Sequence, residues 1–381
     1  MTHFKTELTY FRAFICILIV LVHILTQYMG HVEDSETSEL KLLYYIQNII
    51  IFATPSFIIL SQLLTTLNYK TVDRHYLWKR VKYILCPYLL VGTFYAYSEH
   101  KITGNTFTEE WWKSVILGHW HGYFILIIMQ FFVLSYLLYK GSPRIFDSKT
   151  VLVLSFIVQF SFLHLYNENA VFAKYFTAFY PFSENTCILG WIFFFFMGGY
   201  IGRHYHQIIQ FLNLHIFIVL GVAILSYLGF IAFGHHIYWY VTSFSAGLMC
   251  YSSVMFLLLL GVATHFNTLF YSSVQLISTF SFFIYLLHPM IIDSLYHYFA
   301  AFTDMTLVFL AISLLFTLGI CIGVGLLLRQ FRVCRFVVGK QPYRCMWIMS
   351  EKAYFLSWGM PLFLLFHIEC LSYSHKWKVL M

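Results

Sequence analysis

The segment TYFRAFICILIVLVHILTQY, Thr9 to Tyr28, is apolar along nearly its whole length and carries one arginine, Arg12, and one histidine, His23. As a helix rising 1.5 Å per residue it spans about 30 Å, the thickness of a bilayer's hydrocarbon core. It reads as a membrane-spanning helix. It is too long for a signal-peptide core and lacks a small-residue cleavage pattern behind it, so it is expected to stay in the mature protein. Arg12 and His23 are eleven residues apart, which returns a helix to within about 20° of the same face and separates the two by about 16 Å along the axis. Arg12 then lies near the cytoplasmic end and His23 about two-thirds of the way across. Ionisable groups at depth are costly and face a bundle interior or a wet cavity. Arg12 reads equally as a snorkelling anchor. His23 reads first as a functional group and second as a hydrogen-bonded packing residue.

The rest of the chain repeats this pattern. Of its 381 residues 60% are apolar, 21% aromatic and only 10% charged, which excludes a soluble fold and predicts an all-α polytopic membrane helix bundle. About ten transmembrane helices are expected, near 9–29, 42–66, 80–97, 115–139, 150–166, 186–203, 214–233, 240–264, 275–299 and 306–328. Basic residues alternate from loop to loop, with Lys70, Arg74, Lys79, Arg80 and Lys82 in one, Lys140, Arg144 and Lys149 in the next such loop, and Arg203 in a third. By the positive-inside rule both ends of the bundle are cytoplasmic, and the net charge of +7 reports topology, with no nucleic acid implied. The other loops, HVEDSETSE and SEHKITGNTFTEEWW, are acid-rich. The scattered cysteines form no Cys-x-x-Cys pair and imply no metal site. No phosphate-binding glycine loop marks an ATP-driven transporter. The membrane body is taken as residues 1–343. The tail, 344–381, holds the short apolar run AYFLSWGMPLFLLFHI, expected to lie in the interface or to form a partial extra helix and to be dispensable.

Three further stretches carry polar chemistry. In STFSFFIYLLHPMIID, Ser281, Tyr285 and His288 share one helical stripe, with Pro289 able to bend the helix and Asp293 beyond. Counted from its cytoplasmic end, His288 reaches about the depth of His23. The alternative is a proline-kinked helix whose hydroxyls satisfy freed carbonyls. In LGHWHGYF, His119, Trp120, His121 and Tyr123 form either an aromatic interface belt or a sugar site, since an indole face stacks on a pyranose while imidazoles bond its hydroxyls. In LWKRVKYILCPYLL, Lys79, Arg80 and Lys82 suit phosphates, of a bound nucleotide or of lipid headgroups.

Taken together, Arg12 with His23, the basic mouth of the third span, His-Trp-His-Gly-Tyr-Phe and Ser-Phe-Phe-Ile-Tyr-Leu-Leu-His-Pro resemble the type 3 integral-membrane acyltransferase family, over about Thr6 to Tyr343. The chain differs from the family's usual pattern in two places: Lys79 and Lys82 hold the spacing that is commonly Arg-x-x-Arg, and Gly122 follows His121 where a larger residue is usual. Within the family, TELTYFRAFICILIVLVHILTQY, PFSENT and SFFIYLLHPMIIDSL resemble proteins that serve export of the glycan poly-β-1,6-N-acetyl-D-glucosamine. The resemblance implies O-acyl transfer from a cytoplasmic acyl-CoA co-substrate to a glycan hydroxyl, with no tightly bound cofactor and with membrane lipid and a membrane glycan synthase as partners. In that reading Arg12, Lys79, Arg80 and Lys82 hold the donor. His23 is the general base, Tyr285 and His288 orient it or stabilise the oxyanion, and Trp120, His121 and Tyr123 meet the acceptor. Export without acyl chemistry is the alternative.

Overall fold

The computed structural model describes residues 5–31, 38–233, 241–266, 269–298, 307–331 and 334–338. The tail, and with it the expectation for residues 344–381, lies outside the described residues. Within them all regular structure is helical. In chain order the helices are α1 (Thr6–His31), α2 (Ser38–Ile50), α3 (Ala53–Asn68), α4 (Arg74–Arg80), α5 (Cys86–Thr103), α6 (Phe107–Trp111), α7 (Tyr123–Gly141), α8 (Lys149–Glu168), α9 (Ala170–Phe179), α10 (Ile192–Arg203), α11 (Tyr205–Phe233), α12 (Leu248–Ala263), α13 (Tyr271–Tyr298), α14 (Leu307–Arg329) and α15 (Arg335–Val338).

Among the described residues seven stretches are long and apolar enough to cross a membrane: Thr6–Met29, Lys41–Asn68, Tyr123–Gly141, Lys149–Glu168, Tyr205–Ala232, Tyr271–Tyr296 and Leu310–Arg329. The protein is therefore a multi-pass membrane protein. The other expected spans take different forms. The third lies in a continuous helical stretch in which α4, with Lys79 and Arg80 in its last turn, runs through a π-turn, Val81–Leu85, into α5. The sixth and eighth correspond to the shorter helices α10 and α12.

Polar ties define two ends of the bundle. At one end the Tyr10 hydroxyl donates to the Leu269 carbonyl, Tyr205 donates to Glu7 and Arg203 pairs with Asp147 at 2.9 Å. At the other, Tyr251 donates to the Ile49 carbonyl, Asn167 to that of Phe244 and Gln130 to that of Thr186. The first end carries Arg12, Lys79, Arg80 and Arg203, the second Glu99, Glu110 and His119.

Lipid offers no hydrophobic drive between helices, so close packing and polar contacts hold them together. α10 lies directly on α3. A Cβ at Gly198 would stand 2.3 Å from the Ile59 carbonyl oxygen, and one at Gly202 2.7 Å from the Thr66 side chain, so this four-residue glycine spacing sets the approach of the two backbones. Buried hydroxyls and amides complete the fastening. Ser135 donates to Gln62 at 2.7 Å, and Gln47 on α2 donates to Thr26 on α1 at 2.7 Å. Gln159 accepts the Phe193 N–H at 2.9 Å, one of the orphan donors in the first turn of α10.

Candidate functional site

α1 and α13 pack along their lengths, with Cys16 Sγ donating to the Ser281 carbonyl at 3.8 Å. Seven residues further along each helix stand His23 and His288, so two helices running alongside one another carry these side chains to the same level. Their rings are 4.8 Å apart between centroids in an edge-to-face arrangement. A third imidazole, His121, enters from the turn that precedes α7, 6.4 Å from His23 and 6.1 Å from His288. Among the described residues no set of His, Cys, Asp or Glu side chains has the geometry to hold a metal ion.

The local hydrogen bonds fix what each imidazole offers. His288 is fully buried, and its Nδ1 lies 2.9 Å from the Ile284 carbonyl. A carbonyl only accepts, so Nδ1 carries the proton and Nε2 is the basic nitrogen. That Nε2 and the Nε2 of His121 make no hydrogen bond among the described residues. Orphaned buried nitrogens are rare where a side chain serves packing alone. His23 is partly exposed, so the cluster reaches space not filled by protein.

Tyr285 has a different place from the one its sequence position suggests. Its hydroxyl donates to the His121 backbone carbonyl at 2.6 Å, so its proton is committed to positioning His121. Ser281, on the same stripe, donates back to the Ser278 carbonyl at 2.9 Å and serves its own helix.

Trp120 and Tyr95 clasp His121, with ring centroids 4.6 and 4.8 Å from it. Trp120 Nε1 donates to the Tyr88 hydroxyl at 3.1 Å, and Tyr88 donates to the Val115 carbonyl at 2.7 Å. The polar edge of the indole is therefore used inside the protein, leaving its ring as the surface it can offer. The indole folds back over Gly122, where a Cβ would come within 2.2 Å of the ring. This is the physical reason for a glycine after His121. Tyr123 is partly buried in the first turn of α7.

Beyond Tyr95 and Trp120, toward the acid-rich end, is a cavity of about 240 Å³ lined by Tyr95, Glu99, Glu110, Lys113, Ser114, His119 and Trp120. Glu110 is buried and accepts from Asn105 at 2.6 Å and Thr103 at 3.1 Å; these bonds, the Asn105 one first, hold its carboxyl below the usual range. Glu99 is shifted the other way. It lies past the end of the third expected span, and its burial, followed by repulsion from Glu110 and Asp293, raises it. Sequence reading did not find this second wall because its residues come from α5, α6 and the following turn, none of which has a spacing signature. The pair of acidic residues in TEEWW was the one available signal.

At the basic end the cations differ from one another. Lys79 is exposed, whereas Arg80 is partly buried, with its guanidinium 4.7 Å from the centroids of both Tyr76 and Phe132 and its Nε buried without a hydrogen bond among the described residues. Lys82 lies 5.7 Å from the Tyr83 ring centre. Arg12 is partly buried on the same face of the unbroken α1 as His23. Arg80 thus packs between two rings where the neighbouring Lys79 is exposed, one residue off the lysine spacing.

Comparison with known proteins adds an independent line. A family described as an acyltransferase domain matches residues 5–326. A protein of Staphylococcus aureus (strain MSSA476) named probable poly-beta-1,6-N-acetyl-D-glucosamine export protein is 52% identical over 344 residues, covering 90% of this chain and 98% of its own. Its namesake from Staphylococcus epidermidis is 57% identical over 340 residues, covering 89% and 96%. No solved structure matches the chain.

Proposed function

Because the chain belongs to the integral-membrane acyltransferase family, by a domain match over residues 5–326 and relatives identical at more than half of the aligned positions, we propose that it moves an acyl group from a cytoplasmic acyl-CoA to a hydroxyl of poly-β-1,6-N-acetyl-D-glucosamine. The observation that carries this reading is the meeting of His23, His121 and His288 at one level of the bundle. In this account the basic end faces the cytoplasm of a cell membrane, as the positive-inside rule asks. Arg12, Arg80 and Lys82, with Lys79 at the rim, hold the donor's phosphates as charge-assisted partners. The extended thiol arm follows α1 over the roughly 16 Å from Arg12 to His23.

His23 then acts as general base. The acceptor oxygen attacks the thioester carbonyl, a carbon–oxygen bond forms as the carbon–sulfur bond breaks, and the hydroxyl proton passes to the imidazole and on to the departing thiolate. His288, its ring packed edge-to-face against His23, orients that group. Tyr285 is a positioning residue, acting through the His121 backbone. The acceptor itself comes from a reaction that polymerises the sugar, so a membrane glycan synthase is the partner class this reading calls for.

A second reading is export of the glycan without acyl chemistry, favoured by the names of the relatives. Purified protein in sealed vesicles separates the two, using radiolabelled acyl-CoA and oligo-N-acetylglucosamine. Label appearing on the glycan supports acyl transfer. Glycan crossing the bilayer with no donor present, and no label transferred, overturns it in favour of export.

A further inference from the structure

The cavity at the acid-rich end is separated from the imidazole cluster by a single layer of rings. Tyr95 and Trp120 line it, and the same two rings pack on His121 at 4.8 and 4.6 Å. At about 240 Å³ it falls below the usual range for extended ligands, roughly 300–1,000 Å³, and suits one pyranose ring. Its polar groups are built for a polyol. Glu110 is buried, and Asn105 and Thr103 lock its carboxylate in place, so it is pre-organised to accept hydrogen bonds. Glu99 is a second acceptor, while Lys113 and His119, both exposed, can donate to ring, hydroxyl or amide oxygens. The rings of Tyr95 and Trp120 supply the apolar surface on which a sugar face lies.

Charge narrows the class further. Two carboxylates and one ammonium line the cavity, and Asp293 is near enough to repel Glu99. An anionic sugar entering here meets a net excess of like charge from Glu99 and Glu110, only partly offset by Lys113. A neutral or cationic hexosamine meets acceptors suited to its hydroxyls and nitrogen.

We propose that this cavity is the acceptor-sugar subsite, that it holds one hexosamine residue of the glycan beside the imidazole cluster, and that Glu99 and Glu110 make it select against acidic sugars. The inference rests on the acyl-transfer reading for its place in the reaction and on the cavity alone for its ligand.

Glycan binding to the full-length protein in nanodiscs is measured by saturation-transfer NMR, with oligo-N-acetylglucosamine, oligoglucosamine and oligoglucuronate as probes. The two hexosamine oligomers are expected to bind and the uronate to fail. Glu99→Gln is expected to weaken oligoglucosamine by about tenfold or more, the loss of a charged hydrogen-bond partner. Glu99→Lys is expected to reverse the preference toward the uronate. In transfer assays the same variants raise the KM for glycan and leave the KM for acyl-CoA in place. Equal binding of all three probes, or hexosamine affinity unaltered in both variants, overturns the proposal. Thermal unfolding of each variant in the same nanodiscs confirms that it is folded before binding is scored. The two readings fail separately: transfer that persists with unaltered glycan affinity sinks the subsite alone, and sugar selection by Glu99 with no labelled product sinks acyl transfer alone.

Discussion

At the scale of single residues the site is defined by which protons are already committed. His288 gives its Nδ1 proton to the Ile284 carbonyl, and Tyr285 gives its own to the His121 carbonyl. Tyr285→Phe leaves that carbonyl unbonded and His121 less constrained. A loss of about fivefold in kcat is expected, from the roughly 1 kcal/mol of one such hydrogen bond, with the KM for acyl-CoA unchanged. Steady-state rates at saturating donor check this, and a change confined to donor KM speaks against a positioning role. Gly122→Ala places a methyl group 2.2 Å from the Trp120 ring. Overpacking of this kind costs about 1–3 kcal/mol, so a lower unfolding temperature is expected together with altered tryptophan emission. An unaltered melting curve contradicts the packing described for Trp120.

At the scale of elements, the contacts that matter join helices distant in sequence, and this sets what sequence reading can reach. The pairing of His23 with His288 was accessible because helix rise alone gives depth, once each residue is counted from the end of its helix taken as cytoplasmic. His121 was visible as a polar residue in an aromatic run, yet nothing in LGHWHGYF shows that the turn folds its imidazole toward two others. The π-turn in the third span was hidden because apolar periodicity does not encode one. Gly198 and Gly202 seat α10 on α3, and Gly198→Leu is expected to abolish that contact and lower the yield of folded protein in detergent. The tie between Asp147 and Arg203 is a surface feature, and Arg203's hydrogen bond holds the Asp147 carboxyl below its ordinary range. A carboxylate with a lowered native pKa stabilises fully above its unfolded value, near 3.9, and loses that contribution as pH falls through the native value. Both partners are partly exposed, so Asp147→Asn is expected to cost under about 1 kcal/mol at neutral pH. Its melting temperature should converge with that of the unsubstituted protein in acid, and a constant difference across pH excludes this ion pair as the cause.

At the scale of the whole molecule, the fold sets two chemically different ends around one buried cluster. A basic end suits phosphates, and an acid-rich end carries a cavity walled by Tyr95, Trp120 and two glutamates. Composition alone made the membrane class legible, and the charge of the loops made the two ends legible. Of the acceptor cavity only His119 and Trp120 were legible, as one of two readings of LGHWHGYF; the wall of Tyr95, Glu99 and Glu110 was not, because it converges from separate elements with no shared period. The central claim is that the imidazole cluster performs acyl transfer, and a single comparison tests it most directly: the rate of label transfer from acyl-CoA to oligo-N-acetylglucosamine by His23→Ala and by the unsubstituted protein, each purified and reconstituted in sealed vesicles. Loss of a general base predicts a fall of about 10²–10⁴-fold for the variant with glycan binding retained, whereas transfer at the unsubstituted rate contradicts the account.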